Sequence, residues 1–564
     1  MRLGDEIRRA GSVEFLAREL IERCTVSQVS RKDEARRWRT LAETGTLDGK
    51  QSGVNLCDNF VDKLASLLFS PSDVIFEVAF DSDESAEWDN AADVASRYIN
   101  RRFKVARCNI AFSLALEMAL IEQSSFIKLT WGKRGYQPHI VRQQFMGVER
   151  EDLNDLDDQE VFTHTFYLTP DSFWRLISHK PDARQIMSRV AGSFAQKSAE
   201  EIGVDVAAGS FLHDVVVGGN AGIGGVTGNL LGSSQGNVGV FGPSVPMLAP
   251  TVADRLIAVT DIWLLNDEMN DGKGGWGTIR YCDPGVVIEG EHIIRNLGDI
   301  PGEHPFVKVS PNEQPGYFWG KSELKRVWYN QQWFAKRTEN VDDIFALRSR
   351  PPRSFTGFSG LTPEKMRALL TRGGTFTDDS PSGKIETHAP DMPGEALAYL
   401  AMIKESFDEA AGMNNALSGQ GQPGVRSGVQ GAQNLRVSTP RLRDKATSVE
   451  SQVTELGDLC FHMSRAKDAR AFKTQKGVEF MLSQLPEDAM VEVDSHSSSP
   501  AFSGDNLQLA FALAKAGAID GEDLLAMVQP PHVDRLITKY RKREAEKAAF
   551  IQAHPELLER GRRK

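Results

Sequence analysis

The sequence predicts an α+β fold, mainly helical, and three observations carry that reading. Long stretches of helical periodicity dominate the second half, the longest spanning residues 321 to 349. Short apolar runs such as "VIFEVAF" (Val74 to Phe80) and "FIKLTW" (Phe126 to Trp131) read as strands between helical segments. Two glycine-rich segments of almost no charge, residues 218 to 242 and 412 to 434, interrupt the pattern far from either terminus.

Taken in order, the opening "MRLGDEIRRAGSVEFLAREL" reads as an amphipathic helix. A second helix begins near Ser52 and carries Val54, Leu56, Val61, Leu64, Leu67 and Leu68, and another is expected from about Glu84 to Glu122. "HIVRQQFMGV" and "VFTHTFYL" read as paired strands flanking the acidic run Glu149 to Glu160, and the chain turns helical again near "SFWRLI". Ten of the 25 residues from Gly218 to Gly242 are glycine. Ordering such a chain costs much entropy and gains few side-chain contacts, so a surface insertion is expected there. Strand-like sequence resumes at "DRLIAVTDIWLLND".

The first long helix, residues 321 to 349, places Leu324, Val327, Trp328, Ala335, Val341 and Phe345 on one face, with Ser322 as N-cap. Pro351 and Pro352 end it, because proline disfavours helix in the residue before it and has no amide to donate. A small αβ excursion follows, residues 350 to 393. It holds a short helix with Thr362 as N-cap, Pro363 at its first position and Gly373 at its end, then the strand-like "GTFTDD" and "GKIETH". Residues 394 to 411 form the next helix, with Leu397, Leu400, Ile403, Phe407 and Ala411 on one face. After the uncharged segment a third long helix is expected from about Ser427 to Ser464.

Composition narrows the function. At 564 residues the chain has room for more than one compact region, and 40% hydrophobic with 25% charged residues is ordinary for a globular protein. No run of about 18 or more apolar residues occurs, so no membrane partner is expected. No signal-peptide core is visible at the start, and a reducing cytoplasm, or a particle assembled there, is the expected setting. The five cysteines, Cys24, Cys57, Cys108, Cys282 and Cys460, are scattered without CxxC spacing and read as buried apolar residues. A net charge of −11 argues against a conventional DNA-binding protein, which gains affinity by neutralising phosphates.

Catalytic, metal and cofactor residues are not expected. HExxH is absent, and the 11 histidines do not cluster. "GYFWGKS", Gly316 to Ser322, approaches a phosphate-binding loop but has three residues between its glycines where that loop needs four. Tyr317, Phe318 and Trp319 are also too bulky for a backbone cradle. A turn that anchors an aromatic cluster is the better reading. The acidic run lacks the alternating ligands and the glycine of a calcium loop, and a solvated hairpin loop is expected instead.

Three stretches carry a family resemblance: "PGYFWGKSELKRVWYNQQWFAKRTENVDD", "ESFDEAAGMNNALSGQGQPGVRSGVQGAQN" and "VEVDSHSSSPAFSGDNLQLAFALAKAGAIDGEDLLAMVQPP". In their order around a helix–excursion–helix–loop element, the chain resembles the portal proteins of tailed double-stranded DNA bacteriophages. The resemblance implies a ring, typically a dodecamer, at one capsid vertex of the virion, with double-stranded DNA packaged and ejected through a central channel. It implies a wing over residues 1–320, stem helices at 321–349 and 394–411, and a clip at 350–393. A tunnel loop would follow at 412–434, then a long helix and wing return at 435–500, and a crown at 501–564. On these positions Asn414, Gln420, Gln422, Arg426, Gln430 and Gln433 would face DNA. Arg353, Glu364, Lys365, Asp378, Asp379 and Lys384 would meet the terminase large subunit and later the head–tail adaptor. Major capsid and scaffolding proteins are further implied partners. The basic stretch Arg535 to Lys564 reads equally as a crown extension towards DNA or as a solvated helix. Two other classes stay open: another ring-forming connector or structural virion protein, and a nucleic-acid enzyme with a diverged site.

Overall fold

The computed structural model describes residues 9–193 and 256–493 with breaks, the longest at 365–383 and 413–439, and scattered residues between 510 and 543. The glycine-rich insertion 218–242 lies outside the described residues. In chain order the helices are α1 (Val13–Thr25), α2 (Gln28–Thr44), α3 (Leu56–Leu68), α4 (Asp89–Val105), α5 (Cys108–Glu122), α6 (Pro170–Ile177), α7 (Ala183–Ser193), α8 (Leu324–Ser349), α9 (Ala396–Ala411) and α10 (Pro440–Lys467). The strands are β1 (Phe76–Phe80), β2 (Ser125–Gly132), β3 (Gly135–Arg142), β4 (Met146–Val148), β5 (Val161–Leu168), β6 (Ile257–Asn266) and β7 (Gly275–Cys282). They continue with β8 (Val286–Glu289), β9 (Phe306–Val309), β10 (Arg353–Thr356), β11 (Lys384–Thr387), β12 (Ala471–Lys473), β13 (Glu479–Met481) and β14 (Ala489–Val493). The fold is α+β.

The chain divides into two compact units, one of Met1–Ala35, Val61–Ser322 and Thr439–Lys564, the other of Arg36–Phe60 and Glu323–Ser438. The first is built on a five-stranded antiparallel sheet in the order β4-β5-β6-β7-β8 and a three-stranded sheet in the order β3-β2-β9. Alternate residues of a strand face opposite sides. Val161, Ile262 and Leu264 accordingly pack on α1 through Leu16, Ala17, Leu20 and Cys24. Phe162, Trp263 and Trp276 pack on the other side against Phe126, Phe306, Phe318 and Trp319. Both faces are covered, which explains why "VFTHTFYL" and "IAVTDIWLLN" are so apolar. Strand β1 pairs antiparallel with β14, Phe76 opposite Val493.

Ser12 caps α1, its hydroxyl accepting from the Phe15 amide at 3.2 Å. The single helix expected from Glu84 to Glu122 is two helices. Arg107 sits at φ 59, in the left-handed region, and turns the chain between α4 and α5. The break lets one helical pattern serve two sheets, since α4 packs on β1 and α5 on β2 and β3. The acidic run does join β4 to β5 as a hairpin, but it is only partly solvated. Leu156 and Gln159 are buried, and the Gln159 amide bridges both backbone groups of Arg150. All five cysteines are buried, and burial pushes the Cys24 and Cys57 thiols up to about 12.

In the second unit α8 packs along α9. Twenty-six residues at ~1.5 Å each make α8 a rod of about 39 Å. It starts at Leu324, and the buried Ser322 hydroxyl just ahead of it donates to the Ile121 carbonyl at 2.6 Å. The helix ends at Ser349, ahead of the two prolines. Beyond it β10 pairs antiparallel with β11, Arg353 opposite Thr387 and Thr356 opposite Lys384. "GKIETH" therefore finds its partner in "RSFT", while "GTFTDD" and most of the short helix after Thr362 lie outside the described residues. The third long helix is described over Pro440–Lys467, and its expected start near Ser427 lies outside the described residues. Residues 510–516 are helical, and Gly517 at φ 71 closes that turn with Ala518 donating to the Leu513 carbonyl.

Candidate functional site

The segment expected to face DNA begins one residue past α9. Gly412 takes φ 72, and its amide reaches the Asp408 and Glu409 carbonyls, so the helix stops there cleanly. Asn414, Gln420, Gln422, Arg426, Gln430 and Gln433 all lie outside the described residues, between this cap and Pro440. Of the expected partner-binding residues, Lys365, Asp378 and Asp379 also lie outside. Glu364 is exposed. The ladder brings Arg353 and Lys384 to its opposite ends, and the Lys384 ammonium pairs with Glu386.

The frame behind these segments is held by polar contacts that sequence reading missed. Gln331 on α8 is fully buried. Its Oε1 accepts from the Leu56 amide at 3.1 Å, and its Nε2 donates to the Gly45 and Val54 carbonyls at 3.0 and 3.1 Å. Asn330 donates to the Ser406 carbonyl at 2.9 Å, and Trp333 meets Tyr399 edge-on at 5.9 Å between centroids. Leu324, Val327 and Ala335 are buried as expected, as are Ile403 and Phe407 of α9. Further along the two helices apolar side chains are exposed: Phe345 51%, Leu347 46% and Leu397 63%.

The "GYFWGKS" stretch is a packed junction. Phe318 and Trp319 are buried beside Phe126, and Arg31 stacks 3.9 Å over the Trp319 ring while pairing with Glu151 at 3.2 Å. Trp319 Nε1 donates to the same carboxylate at 2.8 Å, so one acidic-loop residue anchors both. The Gly320 amide donates to Ser124 Oγ at 2.9 Å and the Lys321 amide to the Asn312 carbonyl at 3.0 Å. A Cβ on Gly320 would stand 2.2 Å from Ser310 Oγ and 2.5 Å from the Gln123 carbonyl. These amides are committed to the protein and cannot converge on a phosphate.

A second polar constellation crosses the five-stranded sheet. His164, Asp261, Arg280 and Glu289 occupy one transverse row on β5, β6, β7 and β8, each opposite the next. Arg280 grips Asp261 with two bonds, 2.5 Å from Nε and 2.8 Å from Nη2. Lys128 on β2 stands 3.6 Å from the same carboxylate. Burial alone would raise the Asp261 carboxyl, but Arg280 and then Lys128 hold it down at about 2. The available signal was one opposite charge in each of two apolar strands. Among the described residues no cluster of His, Cys, Asp or Glu could hold a metal ion, and no helix is long and apolar enough to cross a membrane.

No family model matches the sequence, and no curated protein matches it. One similar solved chain belongs to a structure described as "Neck of empty GTA particle computed with C6 symmetry". It has 10% identity and a TM-score of 0.37 over 88% of this chain and 94% of that one. A likeness of that strength carries neither family nor function across to this chain.

Proposed function

We propose that this chain is the subunit of a portal-type ring at a unique virion vertex, through which double-stranded DNA is packaged and later ejected. The observation that carries the reading is the ladder between β10 and β11. It closes the base of the excursion a few residues past the end of α8, so the intervening segment leaves and returns at one place. Long helix, closed excursion and packed returning helix follow one another as the portal resemblance requires. The exposed Phe345, Leu347 and Leu397 supply the second support. Apolar side chains left uncovered on a paired-helix unit suit burial by the neighbouring subunit of a closed ring.

In this reading residues 413–434 form the tunnel loop. Each neutralised phosphate steepens the salt dependence of DNA binding by a slope of about −0.9, and a segment with Arg426 as its only charge leaves the duplex able to slide. The excursion, with Arg353, Glu364, Lys365, Asp378, Asp379 and Lys384, meets the terminase large subunit and then the adaptor. The chain performs no chemistry itself, and the energy for packaging comes from the docked motor.

End-on negative-stain images of the purified protein test the proposal. Closed rings of about twelve subunits with an axial opening are expected. A monodisperse 62.3 kDa particle across micromolar concentrations would overturn it, and rings without an opening would favour a non-channel structural role.

A further inference from the structure

A cavity of about 410 Å³ opens in the first unit between its two main sheets, independent of the ring reading above. Its walls include Lys128, His139, His164, Arg175 and Arg280, and none of its ten lining residues is acidic. The register explains how so many basic groups meet. Lys128 and His139 lie opposite each other on β2 and β3, and His164 and Arg280 flank Asp261 in the transverse row of the facing sheet. Lys128 Nζ comes within 3.4 Å of His164 Nδ1. The side chains of Lys128 and Arg280 are each 16% exposed, so their charged ends are recessed yet still reach the cavity. Phe166 forms a shared floor, with Lys128 and Arg280 at 5.5 and 5.6 Å from its centroid. Arg175, exposed on α6, stands at the rim.

Asp261 sits beneath these groups, both of its oxygens gripped by Arg280. One buried carboxylate thus orients a guanidinium and an ammonium towards the same space, with Arg175 a third cation. Convergent, pre-oriented cations beside the Thr130 and Ser172 hydroxyls are the chemistry that binds an oxyanion. At 16% side-chain exposure Lys128 and Arg280 offer little charged surface to a duplex backbone.

We propose that this cavity binds a small anion built on a phosphate group, either free phosphate or a phosphomonoester. Calorimetric titration of the full-length protein with inorganic phosphate should show saturable binding of one phosphate per chain. Arg175→Glu should weaken it by roughly tenfold or more, the loss expected for one charged contact turned repulsive. Arg175→Lys should keep most of the affinity. Because Arg175 is exposed, melting of both variants in phosphate-free buffer should match wild type. Adenosine 5′-monophosphate that competes with phosphate would assign a phosphomonoester, and failure to compete would assign the free ion. Absence of saturable binding, equal affinity in Arg175→Glu, or displacement of phosphate by a short DNA duplex would each overturn the proposal.

Discussion

Asp261 shows how a single residue is stabilised in a form that its surroundings oppose. It is fully buried within an apolar strand, and the bidentate Arg280, followed by the nearby Lys128, keeps it ionised. Asp261→Asn keeps the shape and removes the charge that these two cations face. Deleting one partner of a buried pair costs about 3–5 kcal/mol, so a clear fall in the urea midpoint is expected at pH 7. The pH dependence fixes the cause. With a folded value near 2 against about 3.9 in the unfolded chain, the carboxylate stabilises above pH ~4 and loses that contribution as pH falls through about 2. The stability gap between wild type and variant should close over that interval, and a gap unchanged down to pH 2 would locate the loss elsewhere. Both charges were visible in the sequence as isolated residues in "VTDIW" and "TIRYC". Their partnership was not, because it depends on strand register. Gln331 is similar: nothing in a helical pattern of apolar residues marks the one amide that ties three backbone groups. Gly320 was legible as part of a turn that anchors an aromatic cluster, but its need for space was not, since that comes from Ser310 and Gln123, which lie close to it only in the fold.

At the level of elements, periodicity carried far. Helix α8 ends within a residue of the expected place, because two prolines after Ser349 leave the chain no choice. Helix α9 ends where Gly412 permits a left-handed turn. The errors came where one pattern admits two backbones. A continuous helical stripe over residues 84–122 gives no sign of the left-handed Arg107, and four residues, "RSFT", are too few to announce a strand before their partner returns from Lys384. The segment between α9 and α10 carries the element-scale prediction. Lysine at Gln420, Gln422, Gln430 and Gln433 adds four cations to every subunit. Ring assembly should be unchanged, while packaged DNA length falls, most severely at low ionic strength where the charges are least screened. Normal packaging at every salt concentration would remove this loop from the channel.

For the whole molecule, the uncovered ends of α8 and α9 are the features that one chain does not explain. Phe345→Asp with Leu347→Asp should leave the melting temperature of the subunit nearly unchanged, because substitutions at exposed sites usually stay within about 0.5 kcal/mol. The same pair should convert rings to monomers in sedimentation analysis. Intact rings would mean that these side chains face solvent in the assembly. The division into units was not legible from element order, since the first unit is gathered from three separate stretches. That interleaving governs how the chain is born. Strand β1 emerges early, yet Ala489, the partner of Phe80, follows it by 409 residues. At a synthesis rate of about 5–20 residues per second, roughly 20 to 80 s pass before the ribosome delivers the matching strand. Throughout that time Phe76 and Val78 belong to an edge without a mate. Each nascent chain must therefore be kept from pairing with its neighbours on the polysome until its own closing strand arrives.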